Sequence, residues 1–196
     1  MIDYVQPDFY RFNSDSIELA KFVYEQNNNK KLKSVADYFC GCGVIGIELI
    51  QLGLNCEEIT FLEKNKKFIP FINKNTDLFI RRETLKPKII INNTSIENSL
   101  NNKFDLIVAN PPYFYPLRSR LSENEDRNAA RFFHHITFFE IVMHVNNHLT
   151  EGGRGYILYR ADHILSEKKK IEELSISNQF KFNDAFFGDV GLLIIF

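Results

Sequence analysis

The strongest constraint on this chain is an alternation of short apolar runs with longer stretches of helical pattern. The spacing predicts strands over Ser34–Tyr38, Glu58–Glu63, Lys88–Asn92, Phe104–Ala109 and Arg154–Arg160. Between them it predicts helices over Gly43–Leu52, about Lys66–Phe79, about Phe132–Leu149 and around Glu167–Leu174. Runs of this kind, apolar throughout and separated by helices, build a parallel sheet covered on both faces. The last two runs, Phe180–Phe187 and Val190–Phe196, are separated only by Gly188-Asp189. A two-residue connection of that type makes an antiparallel hairpin. The predicted architecture is therefore α/β, a mostly parallel sheet closed by a C-terminal antiparallel pair.

Upstream, Asp15 to about Gln26 reads as a helix, with Asp15 and Glu18 in capping-box spacing. Asn27–Lys33 is a polar linker. Pro70 either kinks the helix that contains it or marks its true start. At 196 residues, 44% of them hydrophobic, the chain is expected to form one domain. Residues 1–33 are an N-terminal helical segment of it, and 34–196 its core.

Charge narrows the range of partners. There are 24 basic and 25 acidic side chains, a net of -1, so any nucleic acid must be met by a local basic patch. Cys40, Cys42 and Cys56 show no CxxC spacing, and the Met-Ile-Asp-Tyr start lacks the n- and h-regions of a leader. No run of 18 apolar residues occurs. A soluble protein of a reducing compartment, the cytoplasm, is expected, without a membrane partner.

The stretch DYFCGCGVIGIELI (37–50) follows the first strand and opens a helix. Gly41 and Gly43 allow the backbone to approach a bound molecule, and Gly46 allows the helix to pack closely on the sheet. Asp37 ends the strand, where its carboxylate can meet the loop or a ligand cation. Glu63 ends the second strand, a place from which a carboxylate can accept both hydroxyls of a ribose. Together they point to a cofactor that contains a nucleoside. Gly41, Gly43 and Gly46 formally satisfy the GxGxxG spacing of NAD sites. The loop also resembles the S-adenosylmethionine (SAM) loop D-x-G-x-G-x-G of class I methyltransferases, with Phe39 where the first glycine of that pattern stands.

The second constellation is FDLIVANPPYFYP (104–116), at the end of the fourth strand. In an open α/β sheet, ligands bind along that edge. Asn110 offers a side-chain oxygen and Pro111 a carbonyl, while Pro111 and Pro112 restrict the backbone that carries them. Two fixed acceptors suit a planar amino group, whose lone pair is delocalised until its two N–H groups are held. Tyr113 can stack on a planar target.

N-P-P-Y after an apolar strand, with such a loop upstream, looks like the class I amino-methyltransferases of adenine N6, glutamine N5 and guanine N2. FYRFNSDSIELAKFV (9–23), together with NPPYF followed by Arg127-x-x-Ala130-Arg131, is similar to the bacterial tRNA1(Val) adenine N6-methyltransferase family. That resemblance implies a seven-stranded Rossmann-like sheet in the order 3-2-1-4-5-7-6. It also implies SAM as cofactor and a tRNA adenosine beside the anticodon as target. By the same resemblance Asn110, Pro111, Pro112 and Tyr113 are catalytic, and Asp37, Phe39, Gly41, Gly43, Glu63 and Asn110 border the cofactor. The polar residue after the third strand is drawn from Asn93, Thr94 and Ser95, with Ser95 preferred.

A base in an anticodon loop has to leave its stack to be methylated. Phe114, Arg118, Arg120, Arg127 and Arg131 supply an aromatic and guanidinium groups suited to base stacking and phosphate contact. The intervening Glu123, Glu125 and Asp126 also fit a solvated loop. The pair His144/His148 and the run His134-His135 are read as helix-surface histidines, with no metal. A monomer is favoured. Three alternatives stay open. One is glutamine N5 methylation of a release factor, whose enzymes usually carry an added N-terminal domain where this chain has about 33 residues. The others are methylation of rRNA or DNA adenine, and a degenerate fold that only binds RNA.

Overall fold

The computed structural model describes residues 3–80, 87–98, 102–112, 136–160, 167, 169–173, 175 and 190–196, and the backbone of 182–187. Helix α1 is Ser14–Asn27, followed by β1 (Leu32–Tyr38), α2 (Val44–Gln51) and β2 (Cys56–Leu62). A 3-10 turn at Lys66–Phe68 leads into α3 (Ile69–Phe79), then β3 (Lys88–Asn92), a second 3-10 turn (Ile96–Asn98) and β4 (Phe104–Ala109). Helix α4 (Phe138–His148) runs directly into β5 (Leu149–Arg160), and β6 (Phe182–Phe187) pairs with β7 (Val190–Ile195). Residues 167 and 169–173 are also helical.

Among the described residues, seven strands form one sheet in the order β3-β2-β1-β4-β5-β7-β6. Pairings from β3 to β5 are parallel, and β7 inserts antiparallel between β5 and β6. Both the predicted hairpin and the order implied by the resemblance are present. Successive strand residues point to opposite faces, and the core divides accordingly. Val35, Leu106 and Tyr156 join α1, α2 and α3 residues in one cluster, whereas Ala36, Ile107 and Ile157 join Phe138, Ile141 and Val145 of α4 in the other. On the opposite edge the half-buried Asp105 joins three strands. Its Oδ2 accepts from the backbone of Lys33 (2.6 Å) and its Oδ1 from Thr150 Oγ1 (2.9 Å), tying β4 to the starts of β1 and β5.

Helix caps differ from expectation at α1 and α4, and Pro70 marks the start of α3, one of its two expected roles. Asn13 is the N-cap of α1 and makes no side-chain cap; Asp15 sits in the first turn, where its charge complements the helix dipole, and no capping box forms with Glu18. A reciprocal capping box forms instead at α4, between Thr137 and Glu140. Pro70 occupies the first turn of α3, so the helix expected from Lys66 begins as a 3-10 turn and becomes α-helical only at Ile69. The expected start of the fourth helix at Phe132 lies outside the described residues.

Gly46 fulfils the packing role expected of it. A Cβ there would stand 2.6 Å from Phe61 Cε1 and 3.0 Å from Ile59 Cδ1, both on the sheet beneath α2. Gly46→Ala is expected to cost about 1–3 kcal/mol through overpacking, more than offsetting the ~1 kcal/mol that helix propensity returns. Urea unfolding measures this as a lower midpoint, and a midpoint at or above wild type contradicts the close approach.

Candidate active site

Strand register brings the sequence motifs into one row. Tyr38 of β1 is level with Leu62 of β2 and with Ala109 of β4, and Leu62 is level with Asn92 of β3. The residues that follow these, Asn93, Glu63, Phe39 and Asn110, therefore leave the sheet side by side at its C-terminal edge. The sheet order reverses between β1 and β4, which is where an open α/β sheet leaves a crevice.

The glycine loop turns through left-handed backbone at Phe39 (φ 57°), Gly41 (φ 53°) and Gly43 (φ 81°). Phe39 thus holds the conformation that a glycine would adopt freely, at a cost on the order of 1–3 kcal/mol that the surrounding structure must over-determine. It does so with hydrogen bonds: Cys40 N–H donates to the Leu62 carbonyl (3.1 Å) and Gly43 N–H to the Cys40 carbonyl (2.7 Å). Three side chains brace the loop from outside. Gly41 N–H donates to Glu63 Oε2 (2.9 Å), Gly46 N–H to Asp37 Oδ2 (2.9 Å), and Asn75 Nδ2 on α3 donates to the Cys42 carbonyl (3.0 Å).

Glu63 has a double duty that sequence reasoning did not foresee. Besides Gly41, it accepts from Asn65 N–H through Oε1 (2.7 Å), so the carboxylate first of all fastens two loops. Each oxygen keeps a second lone pair with which a ribose hydroxyl can be met. Asn93 Nδ2 donates to the carbonyls of Glu63 (2.8 Å) and Lys64 (3.0 Å), joining the β3 loop to this one. Ser95 follows two residues on, half-buried, with its carbonyl accepting from Asn98 N–H.

At the end of β4, Asn110 Nδ2 donates to Ser16 Oγ in the first turn of α1 (3.0 Å). Pro111 is buried and Pro112 half-buried. Tyr113, Phe114, Arg118, Arg120, Arg127 and Arg131 lie outside the described residues, as do His134 and His135. His144 and His148 stack on each other with ring centroids 3.9 Å apart, and His144 is half-buried against Tyr38, so the surface reading fits His144 only in part. Among the described residues no group of three or more His, Cys, Asp or Glu could hold a metal ion, and no described helix is long and apolar enough to cross a membrane.

Tyr10 and Asn75 were not singled out from the sequence. Residues 4–12 lie over the loop: Tyr10 and Phe9 pack edge-on against Phe68, and Asn75 exchanges two hydrogen bonds with the Val5 backbone. Burial first, and then the charges of Cys42, Glu63, Asp15 and Asp37, push the Tyr10 hydroxyl up. For Tyr10 the sequence signal was the 9–23 segment, which stood out by resemblance and not by its chemistry; for Asn75 there was none.

Asp37 is fully buried, and its Oδ1 has no hydrogen-bond partner. Burial, reinforced by the Glu63 charge and opposed by the Gly46 N–H, pushes its carboxyl from 3.8 up to about 7. Between those values the folded chain holds a proton that the unfolded chain has released, so this group's contribution to stability falls as pH rises through the interval. A cation bound in the loop favours the ionised form. Affinity for a cationic cofactor is therefore expected to rise between pH 6 and about pH 8, with proton uptake by buffer at the lower end. Calorimetry in buffers of different ionisation enthalpy reads this directly; Asp37→Asn should flatten the profile, and an equally steep profile in that variant contradicts the assignment.

A Rossmann-like parallel sheet with a β5-β7-β6 antiparallel end, a glycine loop after β1 and an acid after β2 defines the class I methyltransferase fold. Within it, the chain belongs to the methyltransferase small domain family, whose sequence model matches residues 18–181. It is 30% identical over 130 residues to the tRNA1(Val) (adenine(37)-N6)-methyltransferase of Haemophilus influenzae, covering 64% of this chain and 52% of that protein. It is 31% identical over 102 residues to the release factor glutamine methyltransferase of Clostridium botulinum, covering 50% and 34%. The chain thus spans about half the length of the first relative and a third of the second. Among solved structures, the ribosomal protein L11 methylase of Lactobacillus delbrueckii superposes with a TM-score of 0.66 at 20% identity, covering 95% of this chain and 80% of that one. A 16S rRNA N2 methyltransferase of Thermus thermophilus, solved with AdoMet and guanosine, gives 0.62 at 17% identity, covering 94% and 43%.

The cofactor of this family and fold is SAM, and the site fits it. The left-handed loop leaves backbone open to close approach, Glu63 presents a carboxylate at the second strand end, and the unpaired Asp37 Oδ1 suits a cationic ligand.

Proposed function

We propose that this protein is a SAM-dependent methyltransferase of exocyclic amino groups, acting on an adenine N6 in RNA, with a tRNA anticodon-loop adenosine as target. The observation that carries the reading is the place of Asn110-Pro111-Pro112, next to Phe39 across the β1–β4 reversal. Bound in the glycine loop, SAM supplies an electrophilic methyl on a sulfonium. Asp37, Phe39, Gly41, Gly43, Glu63 and Ser95 are the residues that hold it, with Asn110 at its border.

Asn110 Oδ1 and the Pro111 carbonyl accept the two N–H groups of the target amine. Held so, the nitrogen would pyramidalise and aim its lone pair at the methyl; the N–C bond would form as the S–CH3 bond breaks, S-adenosylhomocysteine would leave as the neutral thioether, and the methylated nitrogen would lose one proton to water. The backbone that carries both acceptors is set before the substrate arrives, because a proline follows each of them and cannot rotate about φ. Tyr113 and Phe114 stack on the base, and Arg118, Arg120, Arg127 and Arg131 contact phosphates. Adenine is supported by the longer alignment to the adenine enzyme and by the segments that resemble its family. Glutamine N5 is the second reading, favoured by the release factor relative.

Purified protein given methyl-labelled SAM, with unmodified tRNA in one reaction and a release factor in another, separates the two. Label in tRNA is expected; label in the protein substrate alone reverses the order of the two readings.

A further inference from the structure

Asn110 is useful to the reaction only if its carboxamide faces the right way. The two ends of a carboxamide are nearly the same size, but one accepts hydrogen bonds and the other donates them. With Oδ1 toward a target amine the contact is N–H to oxygen; turned half a revolution, two N–H groups oppose each other. The prolines that follow do not decide this, because they restrict the backbone and leave the side-chain torsion alone. Packing against apolar atoms cannot decide it either, since it does not tell nitrogen from oxygen.

A hydroxyl selects between the two ends when it accepts from Nδ2 and turns its own proton elsewhere, and one that accepts lies 94 residues away in the chain. Ser16 is 3% exposed, and its Oγ accepts Asn110 Nδ2–H at 3.0 Å. Because the carboxamide is planar, fixing Nδ2 on Ser16 also fixes where Oδ1 lies. We propose that Ser16 is a positioning residue for Asn110: it sets the carboxamide orientation in which Oδ1 is offered to the amine that is methylated. This inference rests on the acceptor role proposed for Asn110.

The location of Ser16 gives the contact a further consequence. It belongs to the first turn of α1, reached through residues 4–12, which lie on Phe68 and are tied to Asn75. Asn75 in turn holds the Cys42 carbonyl of the glycine loop. The N-terminal segment thus connects the cofactor loop to the side chain that receives the substrate, and Ser16 is its terminal contact.

Three measurements test the proposal. In Ser16→Ala, kcat for labelled methyl transfer to tRNA is expected to fall on the order of 10- to 100-fold, the loss typical of a displaced reactive group. Calorimetric affinity for SAM and the melting temperature should stay near wild type. Ser16→Thr, which keeps the hydroxyl, should recover most of the loss. The side-chain NH2 signals of Asn110, assigned in nitrogen-15 NMR spectra by their disappearance in Asn110→Ala, should shift and exchange faster with water in Ser16→Ala. Wild-type kcat in Ser16→Ala, where Asn110→Ala is inactive, overturns the positioning role and leaves the proposed function standing. Full transfer in Asn110→Ala overturns the proposed function instead. If wild type transfers no methyl to tRNA, the NMR signals still decide: unchanged Asn110 signals in Ser16→Ala overturn the contact itself.

Discussion

Replacing Asn110 with alanine is expected to lower methyl transfer on the order of 10²–10³-fold, the usual loss when one preorganised polar group is removed from a reacting centre. SAM affinity should weaken by no more than about tenfold, the worth of a single neutral hydrogen bond. The split follows from position. Asn110 follows β4, on the β4 side of the reversal, whereas the groups that would hold most of the cofactor follow β1 and β2. Single-turnover transfer with saturating SAM isolates the chemical step from binding. Transfer within twofold of wild type would falsify the acceptor role, whatever the cofactor affinity.

Glu63→Ala should produce the opposite pattern. The carboxylate holds the Gly41 and Asn65 N–H groups, and hydrogen bonds to a charged group contribute about 1.5–3 kcal/mol each. Its loss releases the glycine loop and removes the proposed acceptor for the ribose, so SAM affinity is expected to fall on the order of 10²-fold or more. Fold stability should change far less. Burial pushes the Glu63 carboxyl up even though the Asn65, Gly41 and Lys64 N–H groups oppose it, so the charge is held at a desolvation cost that alanine does not incur. Glu63→Gln keeps one acceptor and should fall between the two. Isothermal calorimetry with SAM, alongside thermal unfolding, tests both halves; an unchanged affinity in Glu63→Ala contradicts the site.

Much of this arrangement was legible in the sequence because it depends on periodicity and on short connections. Strands β3 and β4 begin and end where their apolar runs do, and the Gly188-Asp189 connection required an antiparallel end. The row of site residues along the sheet edge follows once the strand ends and their order are known. Helix starts were less legible. The Asp15/Glu18 spacing satisfies a capping pattern, yet the incoming chain is anchored by Asn75 and by Gln6, whose Oε1 accepts from Phe12 N–H, so α1 begins at Ser14. Tertiary contacts outweighed a local motif worth about 1 kcal/mol.

Phe39 read as a departure from the glycine pattern, and the structure gives that departure a form. The backbone keeps the glycine conformation with a ring attached, and the bond from Cys40 N–H to Leu62 helps hold it there. Ser16, Tyr10 and Asn75 could not be found from spacing at all. Each acts through contacts between distant parts of the chain, such as the one from Asn75 to Val5, and no local pattern records those.

Under the proposed function, the Asn110 loop receives the N6 amine of an adenine in RNA. Nucleoside mass spectrometry of tRNA from cells with and without the gene tests it most directly. Loss of N6-methyladenosine in the deleted strain, restored by the wild-type gene and not by Asn110→Ala, is the predicted result. An unchanged N6-methyladenosine content in every RNA fraction, with a methylated glutamine lost from a release factor, would contradict it.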